Sequence, residues 1–235
     1  MYTLPALYDV IYGFKDYASE AVRIRQYLNL FNRPHARTLL DVACGTGKHL
    51  EHLQAHFTVE GLDLDPGLLR IAAERLPGVP LHHADMRTFD LGRQFDVITC
   101  LFSAIGYMTT LDDLRRAVSA MAAHLAPGGL LLIEPWLPPD KFHDRKLHLL
   151  SADPDPETKI VRITRSRVEE GLSVMYFHYI VATPDGVTLI DETLHMGLYT
   201  DDQYRDALAA AGLEVKHDPD GAIGRGMWIG SKPTV

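Results

Sequence analysis

The run Leu39-Leu40-Asp41-Val42-Ala43-Cys44-Gly45-Thr46-Gly47 restricts the folds open to this chain more than any other stretch. A short apolar strand enters a tight glycine turn there, and Lys48 to Leu53 read as a helix leaving it. Gly45 and Gly47 permit backbone conformations closed to other residues and a close approach to a ligand, while the helix start presents unpaired N–H groups. The segment is a cradle for a nucleotide or nucleoside. A Walker-type phosphate loop needs glycine where Val42 stands and Ser or Thr where His49 stands. A dinucleotide fingerprint needs a third glycine where Leu50 stands. The first is excluded and the second disfavoured, which leaves a ligand with a ribose and a base but no pyrophosphate to seat. S-adenosylmethionine is such a ligand.

A ribose diol calls for a carboxylate at the end of the second strand, and the run Thr58 to Asp63 ends on Asp63, with Leu64 beside it. The motif Asp41-x-x-x-Gly45-x-Gly47 followed by Asp63 resembles the class I S-adenosylmethionine-dependent methyltransferases. The resemblance implies a Rossmann-like α/β sheet, mostly parallel, with a reversed final strand.

Hydrophobic periodicity leads to the same architecture. A helix over Tyr17 to Phe31, ended by Pro34, precedes strands near 38–43, 57–62, 79–83, 95–101 and 130–134, with helices near 47–55 and 66–76 and from Thr110 to Pro127-Gly128-Gly129 between them. Strand and helix in alternation mean a parallel sheet with helices on both faces. From Pro135 to Tyr199 the pattern changes to three strand-like runs, 159–168, 172–182 and 187–199, read as an antiparallel β insertion after the fifth strand. Thr200 with Gln203 makes a capping box for a helix over 201–211, and strands near 213–217 and 226–231 close the chain. The expected plan is one domain over 1–235. It comprises N-terminal covering helices (1–36), a cofactor-binding core (37–134), a substrate-side insertion (135–199), and a C-terminal helix and hairpin (200–235).

Ligands in such sheets bind outside the carboxyl ends of the strands. At the third strand end, Asp85 is expected to accept from the adenine amino group and Met86 to pack on the ring. The fourth strand end, Leu101 to Tyr107, should lie beside the transferred methyl, where Ser103 and Tyr107 are the polar side chains placed to assist proton removal from an amine. His49, His52 and His56 share a helix but lack a metal-binding arrangement, so no metal is expected and they read as a solvated polar face.

Beyond the cofactor half, Asp85-Met86-Arg87, Phe102-Ser103 with Gly106, Glu134-Pro135-Trp136 and Gly224-Arg225-Gly226 resemble the dTDP-3-amino-sugar N,N-dimethyltransferases over nearly the whole chain. That resemblance implies Tyr8, Ala43, Asp63, Asp85, Met86 and Leu101 around S-adenosylmethionine, and Tyr2, Tyr17, Tyr107, Trp136 and Arg225 toward a nucleotide-linked amino sugar. An arginine suits the diphosphate because its planar donors engage oxygens in pairs. The family usually has glutamate where Asp63 stands and a second tryptophan where Leu137 stands. The segment Lys141 to Pro156, with Lys141, Arg145 and Lys146 clustered, also departs and reads as a solvated edge. The expected activity is one or two methyl transfers to the sugar amine. The alternatives are another small-molecule O- or N-acceptor, or S-adenosylmethionine binding without catalysis.

A net charge of −8 and the lack of a basic run argue against nucleic acid as partner. No apolar run is long enough for a bilayer, and Met1 to Phe14 lacks the pattern of a signal peptide. A cytoplasmic setting with two inert cysteines, Cys44 and Cys100, is expected. Exposed apolar residues of the insertion offer a surface for a homodimer.

Overall fold

The computed structural model describes residues 5–222 and 224–234. Its central sheet is built from β1 (Thr38–Val42), β2 (Thr58–Asp63), β3 (Leu81–His83), β4 (Phe95–Cys100), β5 (Leu125–Ile133), β10 (Glu214–Asp218) and β11 (Met227–Ser231), in the order β10-β11-β5-β4-β1-β2-β3. Strands β1 to β5 run parallel, and β11 enters antiparallel between β5 and β10. The central strands read as continuous apolar runs because helices cover both faces. Leu39, Leu40, Val42, Val97, Ile98 and Leu131 to Ile133 are all fully buried.

The flanking helices are α1 (Pro5–Ile11), α2 (Tyr17–Leu30), α3 (Lys48–Leu53), α4 (Pro66–Arg75), α5 (Leu111–Ala123) and α6 (Asp201–Ala210). Their starts follow local chemistry. Asp65 accepts from the N–H groups of Gly67 and Leu68 ahead of Pro66, and the expected Thr200–Gln203 capping box forms. In α5, Leu114, Ala117, Val118 and Met121 recur at helical spacing and face the sheet. That helix stops at Ala123, earlier than its sequence suggests, because Pro127-Gly128-Gly129 belong to β5. They absorb a register shift against β4 between the pairs Phe95↔Leu125 and Val97↔Leu130. A Cβ on Gly129 would lie 3.0 Å from the Asp96 carbonyl oxygen, so these glycines serve a bulge in the sheet and do not cap the helix.

A second sheet, an antiparallel meander, comprises β6 (Leu147–Ala152), β7 (Lys159–Glu169), β8 (Leu172–Thr183) and β9 (Gly186–Gly197). Strand β6 occupies the segment that reads from sequence as a charged, solvated edge. Its residues Leu147 and Leu149 turn to solvent, while Lys146, His148 and Leu150 line the cavity described below. Glu170 and Gly171 take φ of 50° and 80°, the left-handed pair that lets a two-residue turn follow the strand twist. Helix α1 ties the cradle to the rest: Asp9 accepts from the Thr46 hydroxyl (2.5 Å) and pairs with Arg75. Among the described residues no helix is long and apolar enough to cross a membrane.

Candidate active site

Between the carboxyl ends of β1, β2 and β4, helix α1 and the inner face of the small sheet lies a cavity of about 1330 Å³. At one end the chain turns out of β1 with Ala43, Gly45 and Gly47 all at positive φ (59°, 57° and 79°). The Gly45 N–H donates to Asp63 Oδ2 (2.7 Å) and the Asp65 N–H to Asp63 Oδ1 (2.8 Å), so one carboxylate fixes the glycine turn and the start of α4 together. Burial raises the carboxyl pKa of Asp63. Gly45 has open space where a side chain would stand, whereas a Cβ on Gly47 would meet Leu76 Cδ1 at 2.7 Å. Gly45 therefore serves the cavity and Gly47 the packing of the turn against α4.

Asp85 lines the same end, gripped by Arg87, whose Nε lies 3.0 Å from both carboxylate oxygens and whose second arm reaches Asp113 (3.3 Å). That pairing holds the Asp85 carboxyl below its ordinary pKa. Tyr8, Leu64, Met86 and Leu101 complete this end. A ligand with a ribose and a base fits here. Each Asp63 oxygen accepts one backbone hydrogen bond and retains a lone pair, the missing Cβ of Gly45 opens the backbone to approach, and apolar walls flank both carboxylates.

The other end is aromatic and cationic. Trp136 lines it with its indole N–H fixed on Ser173 Oγ (2.8 Å). Gly106, in the short 3-10 helix Ala104–Tyr107, lets that turn press on Trp136, since a Cβ there would lie 3.0 Å from Trp136 Cβ. Tyr107 faces the cavity and Arg225 lies over Trp136, 5.1 Å from a ring centroid. Tyr12 and Phe102 pack edge to face at 5.0 Å, and Lys15 sits 4.0 Å over Phe102 while paired with Glu20 at 2.7 Å.

Two sequence expectations are corrected, those for Ser103 and His49, and three further expected residues, Tyr17, Asp41 and Gly47, stand apart from the cavity lining. Ser103 does not line the cavity: it is fully buried, its hydroxyl donates to the Pro135 carbonyl (2.7 Å) and accepts from Arg225 (2.8 Å), so it holds the arginine and is not free to take a proton. Tyr17 packs its ring on His49 at 4.9 Å, outside the cavity wall. His49 is buried against Glu20 (2.7 Å), not solvated. Asp41 and Gly47 stand behind the cavity wall. Tyr2 lies outside the described residues. Both cysteines are buried and free, and burial pushes their thiols up, which leaves them inert. Tyr12, Lys15, Glu134, Arg162 and Phe177 were not singled out as site residues from the sequence. Alternation along 159–168 marks Arg162 and Thr164 as sharing a face, but nothing in the sequence says which face meets the cavity.

Asp41 carries a consequence of its own. It is 2% exposed, accepts from the Thr99 hydroxyl (2.7 Å), and burial pushes its carboxyl up to about 6. The folded state thus holds this proton more tightly than the unfolded chain. Its contribution to stability is present below about pH 4 and lost as the pH climbs through about 6. Asp41→Asn keeps an acceptor for Thr99 and is expected to raise stability by about 2–3 kcal/mol at pH 8 and by nothing measurable at pH 4. Denaturant melts at the two pH values check this, and equal midpoints at pH 8 would refute it.

A methyltransferase domain model matches residues 39–129. The dTDP-4-amino-2,3,4,6-tetradeoxy-D-glucose N,N-dimethyltransferase of Saccharopolyspora spinosa is 44% identical over 95% of this chain and 90% of its own length. The dTDP-3-amino-3,6-dideoxy-alpha-D-glucopyranose N,N-dimethyltransferase of Streptomyces fradiae is 41% identical over 95% of this chain and 89% of its own. The structure of S-adenosylmethionine-bound CalS10, an amino pentose methyltransferase from Micromonospora echinaspora involved in calicheamicin biosynthesis, superposes with a TM-score of 0.88 at 37% identity, covering 99% of this chain and 98% of that one.

Proposed function

The chain belongs to the dTDP-amino-sugar N,N-dimethyltransferases, and from that membership we propose that it methylates the amine of a dTDP-linked amino sugar with S-adenosylmethionine as donor. The observation that carries the reading is a single cavity with a nucleoside-type cradle at one end and an aromatic, arginine-bearing wall at the other. Tyr8, Ala43, Gly45, Asp63, Leu64, Asp85, Met86 and Leu101 would hold the cofactor, which supplies a methyl group on a positively charged sulfur. Trp136, Arg225 and Tyr107 line the far end of the cavity, where Trp136 would offer the hexose an apolar face, Arg225 would engage the anionic part of the sugar nucleotide, and Tyr107 would help remove the proton of the amine. Proximity and orientation of the two reactants would provide most of the acceleration.

Mass spectrometry of dTDP-linked 3-amino and 4-amino hexoses, incubated with protein and S-adenosylmethionine, tests this directly. Gain of one or two methyl groups on either supports it. No gain on both, with S-adenosylmethionine shown to bind, rejects it. Arg225→Ala is expected to raise KM for the sugar nucleotide about 10- to 100-fold, with KM for the cofactor changed little. Equal effects on both would count against its placement.

We further propose that two copies pair through the outer face of the small sheet, where Leu147, Leu149 and Leu189 are 71%, 64% and 73% exposed. Leu189→Glu should convert a dimer to a monomer in sedimentation. A wild-type species of only 26.3 kDa would dismiss the pairing.

A further inference from the structure

Helix α1 is only seven residues long, yet it helps to wall both ends of the cavity. Tyr8 lines the cofactor end. Tyr12, one turn on and 4.7 Å away ring to ring, lines the other, packed edge to face on Phe102 and accepting from Arg162 (3.2 Å). A helix this short does not hold its shape alone in water and takes its stability from what it packs against. On one side Ile11 is buried with Met175, Phe177 and Met196 of the small sheet, and Leu7 packs on the same cluster. On the core side the apolar contact is Pro5 at the start of α4, where a Cβ on Gly67 would lie 2.9 Å from Pro5 Cγ.

The polar tie to the core is Asp9, the one charged residue of α1. One of its oxygens accepts from the hydroxyl of Thr46, which stands between Gly45 and Gly47 and is 2% exposed; the other pairs with Arg75 of α4. Arg75 closes the joint, because it also donates to the Thr46 carbonyl and lies 3.5 Å from Glu51 of α3. The glycine turn and two helices that flank it therefore meet α1 at a single carboxylate. Asp9, Thr46 and Arg75 all stand outside the cavity lining, so their effect on a ligand must pass through the elements they hold.

Resting on the nucleotide-sugar reading for the second of its two ligands, we infer that Asp9 is a positioning residue: through Thr46 and Arg75 it seats α1 on the cofactor turn before either ligand arrives, with Tyr8 and Tyr12 in place for both. A helix already seated gives the two ligands nothing to gain from each other through it. Without the joint, the first ligand must seat the helix and the second finds it seated. Cooperativity then appears where the intact protein has none.

S-adenosylhomocysteine and a dTDP-linked amino hexose cannot react together, so calorimetry on the full chain can titrate each alone and with the other saturating. Asp9→Ala is expected to weaken each ligand alone about 10-fold, and to bind each within about threefold of wild type once the other is present. Arg75→Met, on the far side of the joint, should do the same, and the double variant should weaken either ligand no more than the worse single. An aspartate that serves stability only would lower the denaturant midpoint and leave both affinities and their independence unchanged, which overturns the role. Cofactor binding that weakens and is not restored by the sugar nucleotide would assign Asp9 to the cradle alone and likewise overturn it. If the wild type binds S-adenosylhomocysteine but no sugar nucleotide, the acceptor reading falls, and hydrogen exchange of the Asp9 to Tyr12 amides decides the role of Asp9 by itself. Amides protected in the wild type, exposed in Asp9→Ala and protected again by S-adenosylhomocysteine support it; equal protection in both unliganded proteins overturns it.

Discussion

Asp63→Ala is expected to weaken S-adenosylmethionine binding by at least about 100-fold, well beyond the loss of one or two ligand hydrogen bonds. The side chain accepts from the Gly45 and Asp65 N–H groups (2.7 and 2.8 Å), and Asp65 in turn caps α4 through Gly67 and Leu68. Its removal leaves two backbone donors without their acceptor, at about 1–3 kcal/mol each, and frees a turn whose residues Ala43, Gly45 and Gly47 all sit at positive φ. The cofactor therefore loses the acceptor and the shape of the cradle together. Calorimetry with S-adenosylmethionine measures the first effect and a denaturant melt the second. An alanine variant that binds within about threefold of wild type would show that the turn holds without its carboxylate.

Glu134→Ala should act on turnover instead. Glu134 is 1% exposed; Oε2 accepts the Phe102 N–H at 2.5 Å, Oε1 is buried with no partner among the described residues, and burial raises the carboxyl pKa. Phe102 and Ser103 are consecutive non-glycine residues at φ of 51° and 61°, a conformation that costs about 1–2 kcal/mol per residue. Three hydrogen bonds that involve side chains hold the pair: the Phe102 N–H to Glu134, the Ser103 hydroxyl to the Pro135 carbonyl, and Arg225 to the Ser103 hydroxyl. Releasing the first lets Phe102 relax and carries Arg225 out of register. The expected result is a fall of about 100-fold in kcat on the amino-sugar substrate, with S-adenosylmethionine affinity within a few fold of wild type. Glu134→Gln, which retains an acceptor for Phe102, should recover most of the rate. Wild-type kcat in the alanine variant would remove Glu134 from the positioning role.

The parts of the molecule written in local chemistry were the legible ones. The glycine turn, the Asp65 and Thr200 caps and the apolar run of β5 each follow from a few adjacent residues, and so do the order of strands and helices. The convergence of Gly45, Asp63, Asp85 and Met86 on one end of the cavity was readable for the same reason, because strand ends and turns deliver them there. The opposite end is assembled from segments distant in sequence. Ser103 looked available for chemistry because nothing nearby in the chain announces that Pro135 and Arg225 occupy its hydroxyl. Strand β6 was missed because its pattern of charged and apolar residues, buried on one side only at the cavity, reads as surface until its partner β7 is known. His49 reads as solvated because its burial against Glu20 depends on α2 packing across α3.

The place of β11 also bears on how this chain is made. Leu130 to Ile133 of β5 pair with Trp228 to Ser231, and about 95 positions separate Ile133 from Trp228. At ribosomal rates of about 5–20 residues per second, β5 spends roughly 5–20 s with one flank covered by β4 and the other, four apolar residues long, open to any strand that meets it. The four-stranded meander emerges during that same interval, already able to pair within itself through its short hairpins. Its self-sufficiency keeps its strands from competing for the open edge before β11 arrives.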